Sequence, residues 1–504
     1  MAIQATQPYW SELARPQFPA LHEDLSTDVC IVGAGIAGLT TAYLLLRAGK
    51  RVVVLEKDEI AGGESGRTTA HITHALDDRY FELEQLHGIL GSRYAAASHT
   101  AAIDQIETIV REHAIECDFR RVNGYLFNPP EQPLDILTRE LDAAHRAGLG
   151  AVTLIQGAPI EFATGPCLLF PRQAQFHPLK YLIALANLIV EQGGHIFTHS
   201  AVSAVRGGGN AMVTTRAGAR VHAQDIVLAT NTPANDVLVV HTKQAPYRTY
   251  VLAFAIAPGS VVPGLFWDTA DPYHYVRIAE GDIHDMLIVG GEDHKTGQED
   301  DGALRFEELE HWTRERFPAA GAIAFRWSGQ VMEPVDGLAY IGSNPLDASN
   351  VYIATGDSGN GMTHGTIAGI LLRDLLLGQA NEWAGLYAPH RKTLRAADEF
   401  VHENLNVALQ YIDWIKPGNY ASADVIPIDC GGIIRDGAQK IAVYRDADNR
   451  LHTCSAACPH LGCVVAWNNT EKSWDCPCHG SRFDAFGRLV NGPALADLTR
   501  VNFS

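Results

Sequence analysis

The sequence predicts an α/β protein carrying a small all-β unit at its C-terminal side. Three observations carry this. Buried-strand patterns alternate with helical ones from residue 28 onward, a glycine-rich turn joins the first strand to the first helix, and the pattern changes to short β runs after Pro417-Gly418. A length of 504 residues suits about three structural units.

In chain order, residues 1–27 read as an irregular leader with Pro8, Pro16 and Pro19. Asp28-Val-Cys-Ile-Val-Gly33 is an apolar run short enough for a buried parallel strand, residues 36–48 are helical up to Gly49, and Arg51-Val-Val-Val-Leu-Glu56 is a second buried strand. Together they form one βαβ unit. Residues 77–165 mix polar helical stretches with turns at Asn123-Gly124 and Asn128-Pro129-Pro130. A helix is expected over 179–191 and a strand over 225–229. Antiparallel strands are expected over 247–256 and 285–290, a buried strand over 351–355, and a helix over 362–377. Residues 396–416 read as an amphipathic helix with Leu405, Ala408, Leu409, Ile412 and Ile415 on one stripe. Short strands are expected at 424–428, 440–444 and 451–453, with a domain boundary near 417–423.

Charge and hydropathy exclude some functions. With 39 basic against 58 acidic residues the formal charge is −19, which repels phosphate backbones, so nucleic acid is not an expected partner. Residues 421–504 hold nine acidic and eight basic side chains, so −18 of that charge lies in the rest of the chain, a hint of a cationic substrate. No run reaches the roughly 20 apolar residues of a membrane span. Residues 1–8 lack a basic and then apolar leader, so a cytoplasmic protein is expected.

Gly33-Ala-Gly35-Ile-Ala-Gly38 follows a strand and opens a helix, which gives this common pattern its meaning. The first glycine permits the tight turn, the second lets backbone approach a pyrophosphate, and the third lets helix and strand pack closely. The helix N-terminus offers free N–H groups to phosphate, and Glu56 ends the second strand where an acid holds ribose hydroxyls. These residues specify a dinucleotide without choosing between FAD and NAD.

Six of nine cysteines, Cys430, Cys454, Cys458, Cys463, Cys476 and Cys478, fall in the last 75 residues. Cys458-Pro-His460 and Cys476-Pro-Cys478-His479 supply two thiolates and two imidazoles from two turns. Zinc accepts such a set, but C-x-H and C-x-x-H with Pro and Gly beside the ligands is the pattern of a Rieske [2Fe–2S] centre. Cys458 and Cys476 then hold one iron, and His460 and His479 the other.

Larger stretches carry a resemblance. They are Asp28 through Glu56 with Gly62-Gly-Glu-Ser-Gly-Arg67, Arg326-Trp-Ser-Gly329 with Glu333-Pro-Val-Asp-Gly337 and Ile341-Gly342, and Val351-Tyr-Ile-Ala-Thr-Gly356 with Gly359-Asn-Gly361-Met-Thr363. Over most of residues 1–395 the chain resembles the D-amino-acid-oxidase-like family of FAD-dependent oxidoreductases. It is nearest the gamma-glutamylputrescine-oxidase-like branch, whose Tyr-x-Arg-x-x-x-Gly segment is similar to residues 275–281. The C-terminal part resembles a Rieske domain. These resemblances imply a Rossmann-like FAD-binding domain (1–80, 170–240 and 326–395) interleaved with an antiparallel-sheet α+β substrate domain (81–169 and 241–325). A helix and linker (396–422) and a small β Rieske domain (423–504) follow.

By resemblance, Gly33, Gly35, Gly38 and Glu56 bind the ADP half of FAD, with Lys57, Gly63, Ser65, Arg67, Thr68 and Thr69 following toward the flavin. Gly329, Asp336, Gly356, Gly359, Asn360, Gly361, Met362 and Thr363 complete the cofactor set, the last five opening a helix that faces the ring. His71 is expected beside the flavin. Arg277 and Tyr275 are the expected substrate residues, with Arg248, Tyr250 and Glu292 as further polar neighbours. An arginine there suits a substrate carboxylate. The resemblance also implies a Cys463–Cys478 disulfide, leaving Cys430 and Cys454 as structural thiols.

The combination implies oxidation of the C–N bond of an amine or amino acid, with electrons passing from flavin to cluster to an external acceptor. A nicotinamide-driven reductase needs a second dinucleotide turn, and no other G-x-G-x-x-G follows a strand. A redox sensor with vestigial catalysis is the alternative from another class.

Overall fold

The computed structural model describes residues 6–129, 132–233, 238–392 and 396–501. Five parallel strands build the centre of an eight-stranded sheet, in the order Val351–Thr355, Arg220–Leu228, Leu25–Val32, Val52–Leu55 and His195–Phe197. All four residues of Val52–Leu55 are buried, as a β-branched run covered on both faces requires. Helix Ile36–Arg47 lies against helix Gly361–Leu376. A Cβ at Gly365 or Gly369 would stand 2.5 Å from Ile36 or Thr40, so these glycines permit the contact.

The second sheet has nine strands. Its main path runs Ile323–Pro334, Gln244–Ile256, Asp285–Lys295, His274–Ala279, Leu265–Asp268, Arg120–Phe127, Cys167–Gln175 and His71–Ile72. The boundaries expected at residues 170 and 326 therefore fall inside strands of this sheet. Asn123-Gly124, expected as a turn, lies within Arg120–Phe127, where the register shifts between Val122 and Gly124. A side chain at Gly124 would meet the Trp267 ring at 2.6 Å, so the glycine serves packing rather than a turn. The Asn128-Pro129-Pro130 turn begins after this strand, and Pro130 lies outside the described residues. Helix Tyr80–Glu112 leaves helical geometry only at Gly88.

The linker helix runs Ala397–Gln410 and tightens into a 3-10 turn at Tyr411–Trp414. Its predicted apolar stripe faces outward: Leu405, Leu409, Ile412 and Ile415 are all exposed, while Val407 and Trp414 pack on the C-terminal core. The strand expected at 424–428 is instead a 3-10 turn, Ala423–Val425. Beyond it come a three-stranded sheet (Cys430–Asp436, Gln439–Arg445, Leu451–Ser455) and a four-stranded sheet (Ala466–Asn468, Ser473–Asp475, Arg482–Asp484, Leu489–Asn491). Among the described residues no helix is long and apolar enough to cross a membrane.

Candidate functional site

A cleft of about 480 Å³ opens at the C-terminal ends of the parallel strands. Its floor is the glycine turn. Gly33 has φ +107° and its missing side chain would strike the Ala229 carbonyl, while one on Gly38 would strike the Gly33 carbonyl. A Cβ on Gly35 would stand 2.9 Å from Ser65 Oγ, which accepts the Ile36 N–H at 3.1 Å and so sits at the helix N-terminus. This cradle of bare backbone and N–H groups fits a pyrophosphate. Glu56 accepts the Ala34 N–H at 2.8 Å and the Asp58 N–H at 3.0 Å. Burial pushes its carboxyl up against the pull of those two donors.

Gly63, Thr68, Thr69, Gly329, Gly356, Gly359, Asn360, Gly361 and Met362 also line the cleft. Gly356 and Gly359 take φ of +75° and +65°, a left-handed backbone open to glycine, and they aim the start of helix Gly361–Leu376 at the cleft. Lys57 lines it with its ammonium on the Val490 carbonyl. Two expected cofactor residues, Asp336 and Thr363, are engaged elsewhere, and Arg67 lines the cleft with its guanidinium held by other protein groups. Asp336 is paired with Arg391 at 2.6 Å and stands off the cleft wall. Thr363 Oγ1 turns into the core, 2.8 Å from His99 Nδ1. The Arg67 guanidinium donates to the Ser328 carbonyl at 2.6 Å and to Glu471 at 3.0 Å.

The second site lies on two loops of the C-terminal unit, 456–465 and 476–481. Cys458 and Cys476 are both buried. The Cys476 thiol pulls Cys458 down to about 7. The His460 and His479 rings meet edge to face with centroids 5.0 Å apart. Buried His479 Nδ1 has no hydrogen-bond partner among the described residues, as suits a ring nitrogen reserved for iron. Cys463 and Cys478 form a disulfide that ties the two loops together. Two thiols and two imidazoles from the tips of two joined loops fit a Rieske cluster, with one thiol pair and one imidazole pair.

The family model of FAD-dependent oxidoreductases (DAO) matches residues 28–375, and that of the Rieske [2Fe-2S] domain matches residues 420–502. The chain belongs to the FAD-dependent oxidoreductase family. It is 31% identical to YhfW of Bacillus subtilis, named a putative Rieske 2Fe-2S iron-sulfur protein, over 99% of this chain and 98% of that one. It is 26% identical to the gamma-glutamylputrescine oxidoreductase of Escherichia coli over 73% of this chain and 87% of that one. Among solved structures, the glycine oxidase of Geobacillus kaustophilus superposes with a TM-score of 0.59 at 18% identity, covering 73% of this chain and 99% of that one. The chain is thus an FAD-dependent oxidoreductase with a Rieske domain.

In this oxidoreductase the far end of the cleft is lined by His71, Asp77, Thr249, Trp267, Tyr273 and Tyr275. Tyr275 OH lies 2.8 Å from Thr249 Oγ1. His71 shares a hydrogen bond with Thr69 Oγ1 at 3.0 Å; burial, and then the Arg277 charge, push it down to about 3, so it stays neutral. Arg277 does not reach the cleft. Its guanidinium Nη1 donates to the carbonyls of Thr69, Ala70 and Phe176 at 3.0–3.1 Å and stacks on Trp10, tying the flavin-side loop to the sheet. Tyr250 is bonded to His294 at 2.9 Å and Glu292 to His274 at 3.2 Å, both off the cleft wall.

Arg248, another expected neighbour, is fully buried in the contact between the domains. There Glu471 of the Rieske domain is inserted 3.0 Å from Arg67 and 4.0 Å from Arg248, beside Ser328. Burial pushes the Glu471 carboxyl up, but Arg67, Arg248 and Arg482 outweigh that and hold it below the usual value. Asp77, Glu471 and Gln330 were not singled out from sequence. Asp77 had one available signal, an acid six positions after His71 in the segment approaching the flavin.

Proposed function

We propose that the enzyme dehydrogenates the C–N bond of an amine and passes the electrons through its own Rieske domain to an external acceptor. FAD supplies a two-electron hydride acceptor and the Rieske centre a one-electron acceptor. The C–H bond breaks with its electron pair, the nitrogen proton goes to solvent, and the imine hydrolyses to a carbonyl compound.

The observation that carries the route is the docking of the cluster loops. Gln330 lines the cleft, and its Nε2 donates to the Gly480 carbonyl at 3.0 Å, next to His479. Only glycine fits at 480, where a Cβ would meet Pro246 at 2.6 Å and Gln330 at 2.8 Å. The His241 ring of the flavoprotein stands 4.9 Å from His460 and 6.0 Å from His479, so the imidazole edge of the cluster site faces inward.

An amine is favoured over an amino acid by the charges at the substrate end. With Arg277 turned away, Asp77, neutral His71 and two tyrosines line that end of the cleft. Burial pushes Asp77 up to about 6, which still leaves a carboxylate at neutral pH. Its Oδ2 lies 3.4 Å from Tyr273 OH, and the faces of Trp267, Tyr273 and Tyr275 suit a cation. Nearby, Ser358 Oγ stands 2.5 Å from Asp78 and 2.8 Å from Glu333. Burial pushes Asp78 up to about 7, so this pair holds a proton and leaves Asp77 as the counter-charge. Anaerobic screening of amines and amino acids tests the reading. Amines should bleach the flavin and then raise the reduced-cluster EPR signal; bleaching by NADH and by no amine would defeat it.

A further inference from the structure

The flavin cleft is not walled by the flavoprotein alone. Leu489, Val490, Asn491, Gly492, Ala494 and Leu495 of the Rieske domain line it, at the end where Glu56 and Lys57 lie. Four contacts pin this segment across the opening. Lys57 holds the Val490 carbonyl, and Asn491 Nδ2 donates to Glu64 Oε1 at 3.0 Å. Arg216 donates to the Leu495 carbonyl at 2.7 Å and to Asp497 at 3.2 Å. Asp497 in turn accepts the Leu489 N–H at 3.0 Å, which closes the segment on itself. On the facing wall, Thr232 Oγ1 stands 3.3 Å from where a Gly492 side chain would begin, so the two walls are in contact. The pins come from residues 57, 64 and 216, three separate parts of the flavoprotein.

We propose that residues 489–495 of the Rieske domain form one wall of the FAD site, closing over the adenosine half and setting how fast FAD leaves. The glycine turn and Ser65 fix where the pyrophosphate fits, and Glu56 marks the ribose beyond it, so the covered end is the adenosine end. A ligand enclosed between two walls departs only when one of them opens. Opening here breaks the four pins and separates the Rieske domain from the cleft rim. By linkage, bound FAD holds the Rieske domain in place as strongly as the Rieske domain holds FAD. The segment's role would then extend beyond its own small sheet to the cofactor of the neighbouring domain, independently of which substrate the enzyme takes.

The test uses the full-length holoenzyme and the double variant Asn491→Ala/Asp497→Ala, which removes two pins from the Rieske side and changes no flavoprotein residue. FAD release is followed as the rise in free-flavin fluorescence after dilution, with the Rieske EPR spectrum recorded on the same sample. Release should accelerate about tenfold or more with the cluster spectrum unchanged. Release at the native rate from a variant that keeps its cluster spectrum overturns the proposal. A second readout needs no substitution. In unmodified, cluster-loaded protein, adding FAD should slow amide hydrogen exchange across residues 489–495. Exchange there that FAD leaves unchanged overturns the proposal whether or not the variant folds.

Discussion

The two cofactor sites differ in how far apart along the chain their residues lie. The four residues that would hold the cluster fall within residues 458–479, on two loops joined by the Cys463–Cys478 disulfide and backed by their own buried core. The flavin cleft draws on residues from Val32 to Leu495, on both large sheets and on the Rieske domain. One site is therefore local, and the other is fully walled only when the domains are docked. Damage to the cluster ligands should stay at the cluster, whereas damage to the domain contact should reach both.

The largest expected effect is Cys476→Ser, which removes one of the two thiols proposed to hold the cluster. Iron content and the Rieske EPR signal should vanish while amine still bleaches the flavin; loss of bleaching as well would show that the sites are less separable than drawn. Next comes Glu471→Ala, which leaves Arg67 and Arg248 without their counter-charge and should cost about 3–5 kcal/mol of stability, read as the shift in chemical unfolding. The same contact has an acid limit. Because the folded Glu471 pKa lies below its unfolded value of about 4.3, its contribution is present above that pH and is lost as pH falls through the folded value. Flavin release should therefore rise on acidification below about pH 4 in the native protein and not in Glu471→Gln.

A smaller effect is expected at the substrate end. Asp77→Asn should lower kcat/KM for amines about 100-fold and remove the loss of activity expected of the native enzyme as pH falls through about 6. Unchanged kcat/KM would place the amine elsewhere. Smallest is Gln330→Leu, which leaves the Gly480 carbonyl without its donor at a cost of about 1–2 kcal/mol. Single-turnover kinetics should show native flavin reduction and slower cluster reduction, and equal slowing of both would assign Gln330 to the flavin alone.

This contrast also governs what the sequence discloses. The glycine turn and the Cys–His loops are legible because neighbouring residues perform them, and the steric demand at Gly38, against the Gly33 carbonyl, is local. Strand 351–355 and the helix after it are legible for the same reason, since an apolar run and a glycine stop mark them. Asn123-Gly124 reads as a turn because turn chemistry and a strand bulge against Trp267 use the same residues. The stripe at Leu405 and Leu409 shows amphipathicity, yet periodicity cannot say which face meets protein. Arg248 and Arg277 read as substrate residues because a buried arginine's partners, here Glu471 and three carbonyls, are far away in sequence. The Rieske segment over the flavin cleft is invisible for the same reason, as more than 400 residues separate it from Lys57.

Electrons taken from an amine should reach the Rieske cluster inside one molecule. The direct measurement mixes the enzyme anaerobically with one equivalent of a substrate amine, with no mediator, and follows flavin absorbance and the reduced-cluster EPR signal over time. Flavin bleaching should be followed by cluster reduction at a rate independent of protein concentration. A cluster that stays oxidised beside a bleached flavin, or whose reduction speeds up with protein concentration, would contradict it.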